Sequence, residues 1–561
     1  MKMIVAHPTE GRTYTKKALE DLLQEAEIYG ENTSNLIIAT TSGSFKKQVG
    51  DVVGRKIKWR RVIRDELHLE KTPATKNIKL MLSETAKRRR GPTSMWALSG
   101  TPFERSPKDL AGYISVLRTG AENAWEIDGR DELKFGLAAP FQEIDTKYNK
   151  LIKDAQKGKT LRKVDIEGVL GKFGKILHAL MIRRTMSSSW FGKVLLDVPE
   201  SEHQDLSFTV SSAYKNDLDW LRECAQHNLQ RAAAARQTKA STKFSQPKAQ
   251  SRASGTEYQK YGRRLRLAAT IPAIPGLLRK KEILDDMFLQ ETILKQGWYD
   301  NGPNYNASPY KKYLTQFVQS SEKFTLINQH VLQVLRTPKD PENPEKIIIM
   351  SSFPAMAFIT ALWLKKGKHS VLFIHSALKN RATLVNDFQG VMREDTDEAK
   401  RPKTTTKGTK AESERDAARK ASILVSTIQL IGTGFTITRA THVVMLEPAW
   451  MLRDEKQGYA RIRRFSQKNP TFTWKLINND SFVEPQIMQR HAARGRFVEL
   501  SFGDNTDQQD FGRNAPQDFD IVDEDKGVAG SKKPAARYTD KQHEDSDEEV
   551  DGYSSGEEFE F

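Results

Sequence analysis

The stretch "KIIIMSSFPAMAFITALWLKKG", Lys346 to Gly367, decides the fold. An apolar run is followed by two serines and a proline, and then by a second apolar segment closing on Lys365, Lys366 and Gly367. A short unbroken apolar run suits a strand buried on both faces of a parallel sheet. Lysines in a last turn with glycine behind them mark a helix C-terminus. The stretch therefore predicts a strand, a polar turn and a covering helix. Similar runs recur at "NLIIATT" (35–41), "RRVI" (60–63), "SMWALSG" (94–100), "SVLFIHS" (370–376), "SILVST" (422–427) and "THVVMLE" (441–447), so two α/β domains in tandem are expected.

The chain has 561 residues, enough for two to four domains, with a formal charge of +17. Lysine and arginine gain affinity by displacing counterions from phosphates, so a polyanion, nucleic acid first, is the expected partner. The tail from Lys541 to Phe561 holds nine acids and one lysine, which leaves about +25 on the remainder. A single cysteine, Cys224, excludes an intrachain disulfide and a cysteine-built zinc site. No apolar run is long enough to span a bilayer. Three polar stretches read as disordered: 230–255, 390–420 and everything after about Gly503.

Three clusters carry possible chemistry. In "WRRVIRDELHLEKT" (59–72), Asp65 and Glu66 follow an apolar pair, at the carboxyl edge of the expected sheet where ligands of such sheets bind. There Asp65 could hold Mg²⁺ through water and Glu66 could orient the water attacking a γ-phosphate, with His68 linking onward; an exposed acidic helix start is the alternative. "WALSGTPFERS" (96–106) places Ser99, Gly100 and Thr101 in a turn able to sense a neighbouring site, or in an ordinary turn. "EPAWMLRDEKQGYARIRRFSQ" (447–467) spaces Gln457, Arg461 and Arg464 by four and three, predicting one helix face whose guanidinium forks can stabilise a transferring phosphoryl group; a solvated basic helix is the alternative.

Together these blocks resemble, in order, those of the Swi/Snf family of DNA-dependent ATPases in helicase superfamily two. Asp65, Glu66, His68 and Lys71 match an Asp-Glu-x-His-x-x-Lys box, "SGTPFERS" a Ser-Gly-Thr-Pro box, and "MIRRT" (181–185) a Leu-Arg-Arg-Thr element. "HSALKNRATLVNDF" (375–388) resembles a Gly-Ser…Arg…Phe segment, and "TIQLIGTGFTITRATHVVMLEPAW" (427–450), with Gly432 and Gly434, a glycine-rich block and its following strand. Gln457, Arg461, Arg464 and Gln467 fit a Gln-x-x-x-Arg-x-x-Arg-x-x-Gln box without gaps. A DEAH-type RNA helicase would read Ser-Ala-Thr in the third box and be glycine-richer in the last.

The resemblance implies two RecA-like P-loop NTPase lobes with parallel sheets, closing over Mg-ATP to drive movement on double-stranded DNA in the nucleus, with nucleosomes or DNA-bound proteins as further partners. It implies catalytic roles for Asp65, Glu66, Arg461 and Arg464, and coupling roles for His68, Ser99, Gly100, Thr101, Gln457, Gly432 and Gly434. The expected organisation is a partial first lobe over 1–200, a helical linker over 201–335, a second lobe over 336–500 and an acidic tail over 503–561. The sequence contains no Gly-x-x-x-x-Gly-Lys-Ser/Thr loop: "GVLGKFGKIL" (168–177) has the wrong spacing and an isoleucine after Lys175. The first lobe is therefore expected to be incomplete, its front missing, and ATP to be held weakly. Arg64, Arg105, His375, Ile431 and Thr436 also depart from the family pattern. The alternative is a pseudo-ATPase that holds DNA or chromatin without chemistry.

Overall fold

The computed structural model describes residues 2–6, 36–41, 61–69, 94–111, 113, 138–156, 163–185, 188–194, 198–241, 260–299, 308–338, 340, 344–390, 410–432 and 434–502. The described residues fall into two compact units: one holds those up to Arg183 and from Arg494 onward, the other those from Arg184 to Ala493.

The second unit is an α/β layer structure on six parallel strands, β7 (Ser201–Phe208), β8 (Lys346–Ser351), β9 (Val371–Phe373), β10 (Ile423–Thr427), β11 (Ala440–Met445) and β12 (Thr471–Asn478), in the order β7-β12-β11-β8-β10-β9. The register sets Ile348 between Leu424 and Val443, and every residue of β8, β10 and β11 is buried. Successive side chains point to opposite faces, so each strand feeds two cores. Ile347, Ile349, Val425 and Val444 join a core with Phe317 of α4 (Pro309–Ser320) and Phe358 of α5 (Pro354–Lys366). Ile348, Met350, Leu424 and Met445 join another with Phe388 of α6 (Arg381–Gln389) and Ala418 of α7 (Lys410–Lys420). The expected strand and helix over Lys346–Gly367 are β8 and α5, with Lys365 and Lys366 in the last turn.

Two expectations are corrected. The polar stretches are partly helical: 230–241 completes α3 (Ser212–Ser241), and 410–420 is α7. Alanine, arginine and glutamine are strong helix formers, which explains the first. In α7 the helix is pinned sideways, with Arg415 Nε donating to Asp387 Oδ2 of α6 at 2.9 Å. Residues 242–259, 391–409 and 503–561 lie outside the described residues. Secondly, the sheet begins earlier than residue 336, because β7 pairs with β12 along eight residues, and the unit boundary falls at 183/184 rather than 200.

Lys346 closes the base of the sheet: its Nζ donates to Phe388 O at 2.9 Å and Arg419 O at 3.0 Å, tying the C-terminal turns of α6 and α7. Burial pushes its ammonium down to about 8. At the opposite edge, Lys323 Nζ meets Glu484 Oε1 at 2.5 Å with both side chains almost fully buried. Glu484 opens α9 (Glu484–Phe502), and its Oε2 accepts the Asn478 amide at 2.7 Å.

The first unit has two parallel strand pairs, β1 (Lys2–Ala6) with β2 (Leu36–Thr40) and β3 (Arg61–Arg64) with β4 (Ser94–Ala97). β1 was not anticipated. Two helices, α1 (Ala138–Gln156) and α2 (Lys163–Leu180), share a core with Leu67, Phe103 and Phe497, and Phe103 meets Phe173 edge-on at 5.2 Å. Gly174 of α2 lies so close to the chain at Ser501 that a Cβ there would stand 2.5 Å from the Ser501 carbonyl oxygen.

Backbone cannot yield as a flexible side chain can, so Gly174→Ala is expected to destabilise the first unit by about 1–3 kcal/mol in denaturant unfolding; an unchanged midpoint would contradict this packing. The buried pair gives a pH-dependent expectation. Burial pushes Glu484 from 4.5 up to about 7 against the pull of Lys323. A folded pKa above the unfolded one adds stability that is fully present below about 4.5 and lost as pH rises through about 7. Lys323→Met removes the cation that offsets the ionised carboxylate, so its cost, about 3–5 kcal/mol near pH 8, should shrink towards pH 5. Equal losses at both pH values would refute the pairing.

Candidate functional site

In the first unit the pairing of β3 with β4 continues past the strand ends: Leu98 N donates to Arg64 O at 2.8 Å and Leu67 N to Leu98 O at 3.1 Å. The Asp65–Glu66 turn and the Ser99–Thr101 turn therefore leave adjacent strand ends. His68, only 4% exposed, joins them. Its Nδ1 lies 2.8 Å from Ser99 Oγ and 3.0 Å from Glu66 Oε2, and Ser99 Oγ accepts the Thr101 amide at 3.1 Å. With the proton on Nδ1, the ring donates towards both oxygens. A change of charge on Glu66 would then alter the bond to Ser99 and, through it, the Thr101 turn.

Glu66 has φ of +52°, a left-handed conformation uncommon outside glycine, asparagine and aspartate. This turn sends the Asp65 carboxylate to solvent, where Oδ1 accepts the Glu66 amide at 2.9 Å. A Cβ at Gly100 would meet open space, so packing among the described residues does not require that glycine. Lys71 lies outside the described residues.

In the second unit the expected single helix face is corrected. α8 (Leu452–Tyr459) carries Gln457 but ends before Arg461 and Arg464, which lie in the following turns. Arg461 is buried and acts as a brace: Nε donates to Gln457 O and Nη1 to Phe435 O, each at 2.9 Å, while its own carbonyl accepts the Ile437 amide at 2.9 Å. The glycine-rich block is thus clamped to the end of α8. Arg464, half-buried, donates from Nε to Ala460 O at 3.0 Å.

Gln467 is a hub within this unit. Its Nε2 donates to Thr438 O, Ala440 O and Ile462 O, and its Oε1 accepts the amides of Lys468 and Asn469. Gly434 has φ of +80°, and a Cβ at Gly432 would stand 2.2 Å from Ile428 O, so both positions demand glycine.

A buried carboxylate was missed by sequence reasoning. Glu447, just beyond β11, accepts hydrogen bonds from Ser351 Oγ at 2.6 Å and from the Ser352 amide, and burial raises its pKa. Only its place after a strand signalled it. A cavity of about 60 Å³ lies at the same edge, lined by Tyr299, Phe373, His375 and Thr427 among others. That is well below the roughly 300 Å³ of the smallest usual ligand pockets. Among the described residues no cluster of three or more histidines, cysteines or acids could hold a metal ion, and no helix is long and apolar enough to cross a membrane.

No known family model matches the chain. Over 81 residues it is 32% identical to a probable global transactivator of Orgyia pseudotsugata multicapsid polyhedrosis virus, covering 14% of this chain and 16% of that protein. Over 144 residues it is 31% identical to the helicase-like transcription factor of Mus musculus, covering 26% and 11%. Over 242 residues it is 20% identical to the DNA repair and recombination protein RAD54-like of Drosophila virilis, covering 42% and 26%. The chain thus matches a quarter or less of the length of these relatives. The crystal structure of the C-terminal part of the Fun30 ATPase domain aligns with 55% of this chain and 99% of that one, at 14% identity and a TM-score of 0.33. Over parts of its length and at low identity, the chain is homologous to several helicase-like ATPases of the Swi/Snf family.

Proposed function

We propose that this chain is a divergent Swi/Snf-type member that acts on duplex DNA in the nucleus, contributing the acid box and the arginine box of an ATP-driven translocase. The observation that carries this reading is the His68 Nδ1 to Ser99 Oγ bond of 2.8 Å. It joins two boxes 31 residues apart, each matched separately to the family pattern, and it runs from the acid that would face ATP to a turn placed to respond. In this reading the second unit corresponds to the second RecA-like lobe, and the residues up to about 200 belong mostly to the first.

The roles divide by geometry. Asp65, solvent-exposed at a strand end, suits a water-mediated contact to Mg²⁺, which when bound would neutralise charge on the phosphates. Glu66, held towards His68, suits the orienting of a water. Arg464 is the better group for stabilising phosphoryl charge, because two guanidinium nitrogens of Arg461 are already committed to backbone carbonyls. With no glycine-rich lysine loop in the sequence, loop amides and lysine are not there to grip the phosphates, so this chain alone should hold ATP weakly. The similarity of parts of the chain to proteins named for DNA repair and transcription supports DNA or chromatin as partner.

Measured as DNA-stimulated phosphate release, any turnover of the full chain should vanish in Glu66→Gln while duplex affinity is kept; unchanged turnover would sink the assignment. The two arginines should separate. Arg461→Ala is expected to lower thermal stability, since it strands the Phe435 and Gln457 carbonyls, by about 1–3 kcal/mol. Arg464→Ala should keep stability and lose turnover. The reverse pattern would exchange their roles.

A further inference from the structure

In the second unit, Ser189–Trp190 pairs antiparallel with Lys193–Val194 to form a two-residue hairpin, β5–β6, with Phe191 and Gly192 at its tip. Both tip residues have positive φ, +49° and +76°. Such turns take asparagine, aspartate or glycine first, because a Cβ is crowded in the left-handed region. Phenylalanine is a costly choice there, and it covers no core: Phe191 is 93% exposed and Val194 is 59% exposed. The base of the hairpin is fixed, with the Ser188 amide bonded to Thr185 O at 3.1 Å and Ser188 Oγ accepting the Thr185 amide at 2.8 Å. A large aromatic ring is thus presented to solvent on a short, braced support.

The charge around the ring selects its occupant. Residues 181–194 contain Arg183, Arg184 and Lys193 and no acid, and Arg184 and Lys193 are exposed. Aromatic faces flanked by cations that can meet phosphates are the elements of nucleobase stacking on single strands and of wedges between base steps. We propose that the Phe191 hairpin is a nucleic-acid contact in which the ring stacks on a nucleobase while Lys193 and Arg184 meet the adjoining phosphates. This deepens the DNA-motor reading and rests on it. A hydrophobic pocket on a protein partner is the competing occupant.

The test uses the full chain and oligonucleotides carrying 2-aminopurine, single-stranded in one arm and duplex in the other, with binding and base fluorescence read together. Phe191→Gly suits the backbone better than phenylalanine, so its unfolding midpoint should be kept or raised while affinity falls about tenfold and the fluorescence change on binding is lost. Phe191→Tyr should retain both. Lys193→Gln should lower the salt dependence of binding by about one phosphate, whereas Phe191→Gly should leave it unchanged. Loss confined to the single strand identifies unpaired bases as the ligand, and loss in both arms identifies a wedge. Wild-type affinity in Phe191→Gly would overturn the hairpin assignment alone and point to a protein partner, whereas failure of the wild-type chain to bind either oligonucleotide would overturn the DNA-motor reading as well.

Discussion

Strands buried on both faces leave polar chemistry only one place to go. In the second unit β8, β10 and β11 are buried at every residue, so hydroxyls, carboxylates and amides collect at the strand ends. Ser351 ends β8, Thr427 ends β10, Glu447 follows β11, and Asn478 ends β12. These residues hold one another and the helices that leave the edge. Ser351 bonds Glu447, and the Asn478 amide bonds Glu484, which is held in turn by Lys323. The same rule operates on a smaller scale in the first unit, where the Asp-Glu turn and the Ser-Gly-Thr turn emerge from neighbouring strand ends and His68 ties them together.

Buried charge serves position more than stability here. Removing two ions from water is expensive, and a hydrophobic pair of equal size would often stabilise as much as Lys323 and Glu484 do. What the ions add is direction, fixing where α9 begins. Arg461 and Gln467 do comparable work through backbone carbonyls and amides, holding the glycine-rich block, whose Gly432 and Gly434 allow the chain to approach and turn. Within a box matched as one motif, the structure therefore separates bracing residues from Arg464, whose role in the account is electrostatic.

Sequence legibility followed hydrophobic continuity. β8, β10, β11 and α5 were readable because their runs are unbroken or end in clear caps. β12 was obscured by Lys475 in its middle, a charge accommodated by Glu455 at 3.3 Å and Asp205 at 3.4 Å. β7 reads as a polar segment because it is an edge strand; His203 and Asp205 on it engage Thr473 and Lys475 across the pair. The helical parts of 230–241 and 410–420 were hidden by composition, since lysine, glutamine and alanine serve solvated helices as well as unstructured chain. Of the site, the residue types and order were legible, and so was the proximity of the two boxes in the first unit. The left-handed Glu66 and the bracing of Arg461 beyond the end of α8 were not, because both depend on where a regular element stops.

The central claim is that a basic, parallel-sheet protein carrying these boxes holds DNA through its phosphates and couples that grip to a nucleotide. The most direct measurement is the equilibrium affinity of the full chain for a duplex across a salt series, with and without Mg-ATP. The account predicts a linear fall of log affinity with log salt, with a slope of several phosphates, and a shift in affinity when nucleotide is added at high concentration. Affinity insensitive to salt, or no binding at low salt, would contradict it.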